Sequence, residues 1–385
     1  MATARTPRKP KRPTMQQIAA RAGVSPTTVA HTLNRTPGAY IAEATRQRVL
    51  EAAQALGYQQ SLLSRSIKMP LRHLGFVVSE AARPYARADA LEIFEGVRQE
   101  AMAHRYLAAL IPLAPEVSDH YSADKAVASI TQHHRTKLFD GFILDKSCIL
   151  TASVQQLDAQ GVPFVTVNGA ACIQPDTQTP IPSVIVHSRV GGRLATSHLL
   201  ELGHRRIALL TRPWSSFAPN YRPYQVSQLI RGYHDAHTDA GVPYDPALQL
   251  DADPWNKTPT YQSVARLLAL SNPPTAIFAA DDAIAVMVIQ ALGRHGLRVP
   301  RDISVVGFGG WSQAARIADP ELTTVTTDLR QNGVLAARLL IERLESGKAN
   351  ALHVALEPHL HVGASTAPPP SAPMNVPSMK RSRSL

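Results

Sequence analysis

Short apolar runs recur through most of the chain: Leu74–Val78, Leu107–Ile111, Gly141–Leu144, Phe164–Val167, Val184–Val186, Ile207–Leu210, Ala276–Ala280 and Ile303–Phe308. Amphipathic stretches separate them, as around Ala90–His104 and in the residues before Arg135. Strands of continuous Val, Ile and Leu leave no face for water, so both faces must be covered. With helices between them they read as parallel sheets. About 290 residues of this pattern exceed one open sheet of ordinary size. The expected core is therefore two doubly wound α/β subdomains with a cleft between them, and ligands bind outside the carboxyl ends of such strands.

Ahead of this core lies a stretch of another kind, Thr14 to Asn34. Ile18, Ala19 and Ala22 give a first helix its apolar face. Gly23 follows where a helix end needs the left-handed conformation. Ser25 is placed as the N-cap of a second helix, and Pro26 at its first position, where a missing N–H costs nothing. Val29 and Leu33 supply the buried stripe, while Thr27, Thr28, His31 and Asn34 line the other face with hydrogen-bonding groups. A helix-turn-helix needs that division, because one face packs and the other reads base edges in the major groove. A third helix is expected from Glu43 to Leu56, with Val49, Leu50, Ala53 and Leu56 closing the core and Gly57 ending it.

The charge distribution agrees with that reading. Residues 1–72 carry twelve Lys and Arg against two acids, Glu43 and Glu51, and the segment after Glu357 carries Lys380, Arg381 and Arg383 with no acid. The 285 residues between hold 25 basic and 27 acidic side chains. A protein that neutralises DNA phosphates needs this asymmetry, which a uniformly basic chain lacks. Residues 1–13 read as a disordered basic arm, and 364–385, rich in Pro and Ser, as a disordered tail. Cys148 and Cys172 are too few for a disulfide framework, no run of 18 apolar residues occurs, and MATARTPRKPKRP lacks the apolar core of a signal peptide. The expected location is the cytoplasm.

Ordered motifs downstream carry a family resemblance. MQQIAARAGVSPTTVAHTLN, ATRQRVLEAAQALGY, FDGFIL, GVPFVTVN, GGRLATSHLLELGHRRIALL, PTAIFAADDAIAVMVIQAL, GLRVPRDISVVGF and DPELTTVTTDLRQNG follow one another from about Thr14 to His361. In order and spacing they resemble the LacI/GalR (lactose-repressor-type) family of bacterial transcriptional regulators. The resemblance implies an all-α helix-turn-helix headpiece over 14–60 and a hinge helix over 61–70. It also implies an effector-binding and dimerisation core over 71–363, shaped like a periplasmic binding protein. Because subdomains of the family exchange strands, the N-subdomain is expected at about 71–170 plus 308–330, and the C-subdomain at about 171–307 plus 331–363. The implied partners are operator DNA, a small-molecule effector and a second copy of the chain, with no cofactor and no metal.

Carried over position by position, the resemblance puts Thr14, Ser25, Pro26, Thr27, Thr28, His31 and Asn34 in the DNA-binding headpiece, with Pro26, Thr27 and His31 on the bases. His31 stands where many members have Arg; a neutral imidazole offers one donor and one acceptor against the bidentate fork that favours guanine. Ala30 replaces a usual phosphate-binding Ser, and Ala42 the usual Ser cap of the third helix. In the hinge, Ile67 matches the family's wedge into a central minor-groove step, with Arg65 and Lys68 near phosphates.

For the cleft, Asn168, Trp255 and Asp281 match positions lining the family's effector pocket, Trp255 as a stacking ring. Two positions depart from it. The effector-gripping Arg three residues before Gly232 is Leu229, and Gly307-Phe308-Gly309-Gly310 lacks the usual Asp. Arg222, Arg231 and Trp311 are nearby substitutes, of which Arg222 would favour an anion such as a sugar acid. No HExxH, GxSxG, P-loop or strand-linked GxGxxG occurs, so the chain is not expected to be an enzyme. A solute-binding protein of the same core fold is the alternative, and the headpiece argues against it. The implied mechanism is a switch: effector in the cleft reorients the N-subdomains of a dimer and decides whether the hinge helices can insert Ile67. An inducer would weaken DNA binding and a corepressor strengthen it; the sequence is compatible with both, and with a repressor role.

Overall fold

The structure is a computed structural model, and it describes residues 13–34, 40–56, 58, 72–79, 84–113, 123–145, 151–167, 182–212, 224–253, 256–309, 318–347 and 353–371. The chain divides into two compact units, Met1–Leu71 and Arg72–Leu385.

The smaller unit holds α1 (Met15–Ala22), α2 (Pro26–Asn34) and α3 (Glu43–Ala55). Ile18, Ala19, Ala22, Val29, Val49, Ala52 and Ala53 form its core, with Val24, Leu33, Leu56 and Tyr58 packed against them. Leu50 does not join that core as expected: it is 44% exposed. The buried stripe runs through Val49, Ala52 and Ala53, and Leu50 lies about 100° further round the helix. The expected hinge helix at 61–70, Gly57, and all of the basic arm except Pro13 lie outside the described residues.

The larger unit contains two six-stranded sheets. The first is built from β1 (Arg72–Ser79), β2 (Tyr106–Leu113), β3 (Gly141–Asp145), β4 (Phe164–Val167), β5 (Ser183–Val186) and β11 (His353–Leu356), in the order β2-β1-β3-β4-β5-β11. The second is built from β6 (Ile207–Thr211), β7 (Gln249–Asp251), β8 (Ala276–Ala279), β9 (Ser304–Phe308), β10 (Thr323–Thr326) and β12 (His359–His361), in the order β7-β6-β8-β9-β10-β12. All neighbours are parallel except β10 and β12. The two sheets therefore share one winding order.

Side-chain alternation explains why each sheet is covered twice. Leu74, Phe76, Ile143 and Val165 face α4 (Pro84–Ala103) and α11 (Leu329–Ser346). Val77, Phe142, Leu144 and Phe164 face α5 (Ala123–Arg135) and α6 (Thr151–Ala159). In the second sheet Ile207, Leu209, Phe278 and Val306 face α7 (Ser188–Glu201) and α8 (Tyr224–Asp239). Ala208, Leu210, Ile277 and Val305 face α9 (Lys257–Leu268) and α10 (Asp282–Arg294). A period of two sends successive residues to opposite layers, so a continuous apolar run fills both.

One helix pair in each subdomain is in backbone contact. A Cβ on Gly96 would lie 1.9 Å from the Arg330 carbonyl oxygen, and one on Gly333 1.9 Å from that of Ile93. The pair α7 and α8 repeats the arrangement: a Cβ on Gly192 would lie 2.3 Å from the Leu229 oxygen, and one on Gly232 2.0 Å from that of Arg189. Ion pairs flank both crossings, Arg338–Glu100 and Arg330–Glu92 beside the first, Arg189–Asp235 and Arg193–Asp239 beside the second.

The expected strand exchange is corrected by the sheets. β5 belongs to the first sheet, and β10 stays in the second because it pairs with β9. The segment that returns to the first subdomain is 329–356, as α11 docks on α4 and β11 pairs with β5. The chain then crosses again to form β12.

The C-terminal expectation is corrected as well: residues 363–371 are ordered against the second sheet. Ser365 is fully buried, donates to the Val305 carbonyl at 2.5 Å and accepts from the Thr323 amide at 2.8 Å. His198 Nε2 lies 3.0 Å from the Thr366 hydroxyl. His204 Nε2 lies 2.9 Å from the Ala367 carbonyl, which only accepts, so that nitrogen carries the proton and Nδ1 accepts from Thr275 Oγ1 at 2.8 Å. Residues 372–385 lie outside the described residues.

Replacing Gly333 by Ala is expected to lower the unfolding free energy of the larger unit by roughly 1–3 kcal/mol, since backbone must move. Gly293, a helical glycine with nothing within 4 Å of an added Cβ, is the control. There Ala should raise stability by about 0.5–1 kcal/mol. Urea titrations of both variants check the pair. A second expectation concerns pH. Burial lowers the pKa of His198, His204, His234 and His237. A histidine whose folded pKa lies below its unfolded value contributes stability that is present above the unfolded value, about 6.5, and lost as pH falls towards the folded one. Asp251, raised by burial, acts in the opposite direction, but it is one group against four. The Arg-paired carboxylates of Glu95, Asp235 and Asp302 are lowered, so their contribution is lost at lower pH. The urea midpoint should thus be flat above about pH 7 and fall between about pH 6.5 and 5.

Candidate functional site

In the smaller unit the turn between α1 and α2 is built as the sequence requires. Thr14 and Gln17 form a reciprocal cap: the Thr14 amide donates to Gln17 Oε1 at 2.8 Å, and Thr14 Oγ1 accepts from the Gln17 amide at 3.3 Å. Gly23 closes α1 with φ +66°. Ser25 Oγ accepts from the Thr28 amide at 3.1 Å and shares a 2.9 Å hydrogen bond with the Thr28 hydroxyl. Thr28 is therefore half-buried scaffold, while Pro26 and Thr27 are exposed at the start of α2. Thr32, buried, bonds its hydroxyl to the Thr28 carbonyl.

His31 lies one turn after Thr27 and is half-buried. Its Nδ1 is buried and has no hydrogen-bond partner among the described residues. Only Nε2 is left for contact outside, so the ring offers one hydrogen bond, which is less than the two counted from its formula. Asn34 ends α2, and nothing further is described of its side chain. Arg65, Ile67 and Lys68 lie outside the described residues. Ala42 makes no side-chain cap at the start of α3.

In the larger unit, matching strand orders place two matching crevices. The order reverses between β1 and β3 in the first sheet and between β6 and β8 in the second, and ligands bind at such switch points, outside the carboxyl ends of the strands. Asp145, a buried carboxylate, ends β3 at the first switch point. Thr211 ends β6, and Asp281 follows β8 at the second. Asp281 Oδ1 accepts from the Ala283 amide at 2.8 Å, so this expected pocket residue caps α10. Beside it, buried Asp282 accepts from the Thr324 hydroxyl at 2.5 Å. Gly307 and Gly309 pack on that carboxylate: an added Cβ would meet Asp282 Oδ1 at 2.3 Å and Oδ2 at 3.2 Å respectively. A second acid at 309 would set like charge beside a buried one. Asp251, ending β7, has its pKa raised by burial.

Leu229 is buried in the cluster with Leu199, Tyr233 and Phe278, so where the family has a gripping Arg this chain has a core residue. Asn168, Arg222, Trp255 and Trp311 lie outside the described residues. Asp145 was not among the sequence candidates, although its place directly after the run Phe142–Leu144 marks a strand end. A groove of about 430 Å³ lies elsewhere, between α5 and α6, lined by Thr131, Gln132, Arg135, Gln156 and Gln160 among others. It touches neither switch point, and topology favours the strand ends as the ligand site. Among the described residues no group of three His, Cys, Asp or Glu is placed to hold a metal, and no helix is long and apolar enough to cross a membrane.

Residues 14–61 match the family model for bacterial regulatory proteins, lacI family, and residues 196–366 match that for a periplasmic binding protein-like domain. The HTH-type transcriptional repressor PurR of Aliivibrio fischeri is 30% identical over 336 residues, 86% of this chain and 92% of that protein. PurR of Mannheimia succiniciproducens is 29% identical over 353 residues, 91% and 98% of the two chains. Among solved structures, a transcriptional regulator CelR–cellobiose complex is similar with a TM-score of 0.64 and 29% identity, over 92% of this chain and 100% of that one. A lac repressor dimer bound to operator and the anti-inducer ONPF aligns with a TM-score of 0.72 over 93% and 100%; at 23% identity this is a likeness of fold.

The caps of the smaller unit make a direct test. Ser25→Ala should cost about 1 kcal/mol of its stability, and Ala42→Ser should return a similar amount. Thermal unfolding followed by helical circular dichroism on isolated residues 1–60 reads both, if that fragment shows a cooperative transition; otherwise hydrogen exchange on the full chain does.

Proposed function

Because this chain belongs to the lacI family of bacterial regulatory proteins, we propose that its first unit reads a pseudo-palindromic operator and its second unit gates that binding through a small molecule. It is a DNA-binding transcriptional regulator, and its repressor relatives support a repressor role. The observation that carries the reading is the pairing of a capped helix-turn-helix, whose exposed face is Pro26, Thr27 and one nitrogen of His31, with a core of two sheets of matching strand order. We assign 14–60 to the headpiece and 61–70 to a hinge helix. Arg65 and Lys68 lie near phosphates in this reading, with Ile67 wedged into the minor groove. A single outward nitrogen on His31 gives one hydrogen bond to a base edge, so the operator differs from those read by a bidentate Arg.

The similar structures of a dimer on operator and of a cellobiose complex support a homodimer and a carbohydrate-like effector here. The described carboxylates at the strand ends, Asp145 and Asp281 foremost, accept hydrogen bonds and suit hydroxyl groups. Arg222 would add affinity for a sugar acid or a related anion. Asn168, Trp255 and Trp311 complete the proposed pocket, with Trp255 stacked on an apolar ring face. A regulator of this type works in the cytoplasm.

In vitro selection of random duplexes with the purified chain should enrich a two-fold symmetric site; recovery without any motif would remove the reading. On that site Ile67→Gly should lower affinity and leave effector binding intact. Calorimetry with neutral sugars and with sugar acids decides the effector class. Binding of neutral sugars alone would exclude a gripping role for Arg222.

A further inference from the structure

Among the described residues three segments join the two subdomains, and all are very short. His187 alone separates β5 from α7, Thr327 and Asp328 separate β10 from α11, and Glu357 and Pro358 separate β11 from β12. Any opening or closing of the cleft must turn about these five residues. Two of them touch: His187 Nδ1 lies 2.5 Å from Glu357 Oε1. The contact continues the β5–β11 ladder, in which Val186 is opposite Leu356 and the His187 amide donates to the Leu356 carbonyl at 3.1 Å. At the other end of the same ladder, His353 Nδ1 lies 2.7 Å from the Ser183 hydroxyl. An imidazole thus stitches each end of a four-residue edge strand that, among the described residues, pairs with β5 alone.

The position makes this contact unlike the Arg–carboxylate ion pairs of the unit. Arg189–Asp235 and Arg338–Glu100 join helices within one subdomain, so they do not change when the subdomains turn. His187 and Glu357 sit on the turning segments themselves. Tied together, the first and third crossovers share their backbone torsions; without the side-chain contact, only the His187 amide bond to the Leu356 carbonyl couples them. The middle crossover is fixed separately, since Asp328 caps α11 by accepting from the Gln331 amide at 2.9 Å.

We propose that the His187–Glu357 contact is a clasp that makes the first and third crossovers move as one and so limits how far the two subdomains open. Both are positioning residues, acting on the cleft and not on its ligand. The proposal rests on the switch reading only for its consequence in signalling, because the clasp can be measured without DNA or effector.

The test uses the full chain. Hydrogen exchange in peptides spanning 184–190 and 354–360 should quicken roughly two- to fivefold in His187→Phe and in Glu357→Ala, the range open to a part-exposed pair. Peptides over β6 should keep their rates. The double variant should exchange no faster than either single one, because the two substitutions remove the same contact. The swapped pair, His187→Glu with Glu357→His, should restore slow exchange. Spin labels at Gln99→Cys and Ala269→Cys, in a Cys148→Ser, Cys172→Ser chain diluted with unlabelled protein, read the subdomain separation. Its distribution should broaden in His187→Phe and narrow again in the swap. Unchanged exchange in the single variants, additive effects in the double variant, or a distance distribution indifferent to His187 would overturn the proposal. If the swap fails to fold, additivity in the double variant still decides.

Discussion

The larger unit depends on the contact of α11 with α4. α11 comes from the end of the chain, after the second sheet is nearly complete, and it must return to the first. It can do so tightly because Gly333 and Gly96 let two helix backbones touch where any side chain would collide with a carbonyl oxygen. Close approach of this kind buries helix surface along its whole length and fixes the crossing, which looser apolar packing leaves adjustable. The return of α11 carries β11 with it, and β11 in turn places Glu357 beside His187. The strand exchange, the three crossovers and the clasp all follow from that docking.

The second subdomain solves the same problem in the same way, with Gly192 on α7 against Gly232 on α8 and ion pairs on the flanks. Two sheets of one winding order, each with its glycine-locked helix pair, make two stiff bodies joined by five residues. Stiffness within and brevity between is what a two-position switch needs, since small local changes are then expressed as rotation and not absorbed as deformation. The second body is also closed from below by residues 363–367, held by His198, His204 and Ser365.

Much of this was legible in the sequence, for identifiable reasons. The headpiece followed from Gly23, Ser25 and Pro26, each suited to one backbone position, and the inner strands from their unbroken Val, Ile and Leu. The strands Gln249–Asp251, Thr323–Thr326 and His359–His361 are three or four residues long and hold one apolar residue each, so no apolar run marks them, while His353–Leu356 carries only the short run Val354–Leu356. Sheet membership could not be read from a run either, because it is set by the neighbour and not by the strand. That is why the expected exchange at 308–330 fails at β10, which pairs with β9 in the second sheet. The ordered C-terminal segment has the composition of a disordered one, and its partners, Thr323 and His198, lie far away in sequence. At the candidate site, Thr28 and Asp281 are half-buried, and each spends part of its hydrogen bonding on the start of a helix, α2 and α10 respectively. Asp145 was hidden because a single acid after a strand carries no periodicity.

The central claim is that occupancy of the core changes how the headpieces hold DNA. Its most direct test is the affinity of the full chain for its selected duplex, by fluorescence anisotropy at fixed salt, with and without a ligand whose binding calorimetry has established. Coupling of about 1–3 kcal/mol predicts a change of roughly 5- to 150-fold in either direction. An affinity unaltered at saturating ligand would contradict the account.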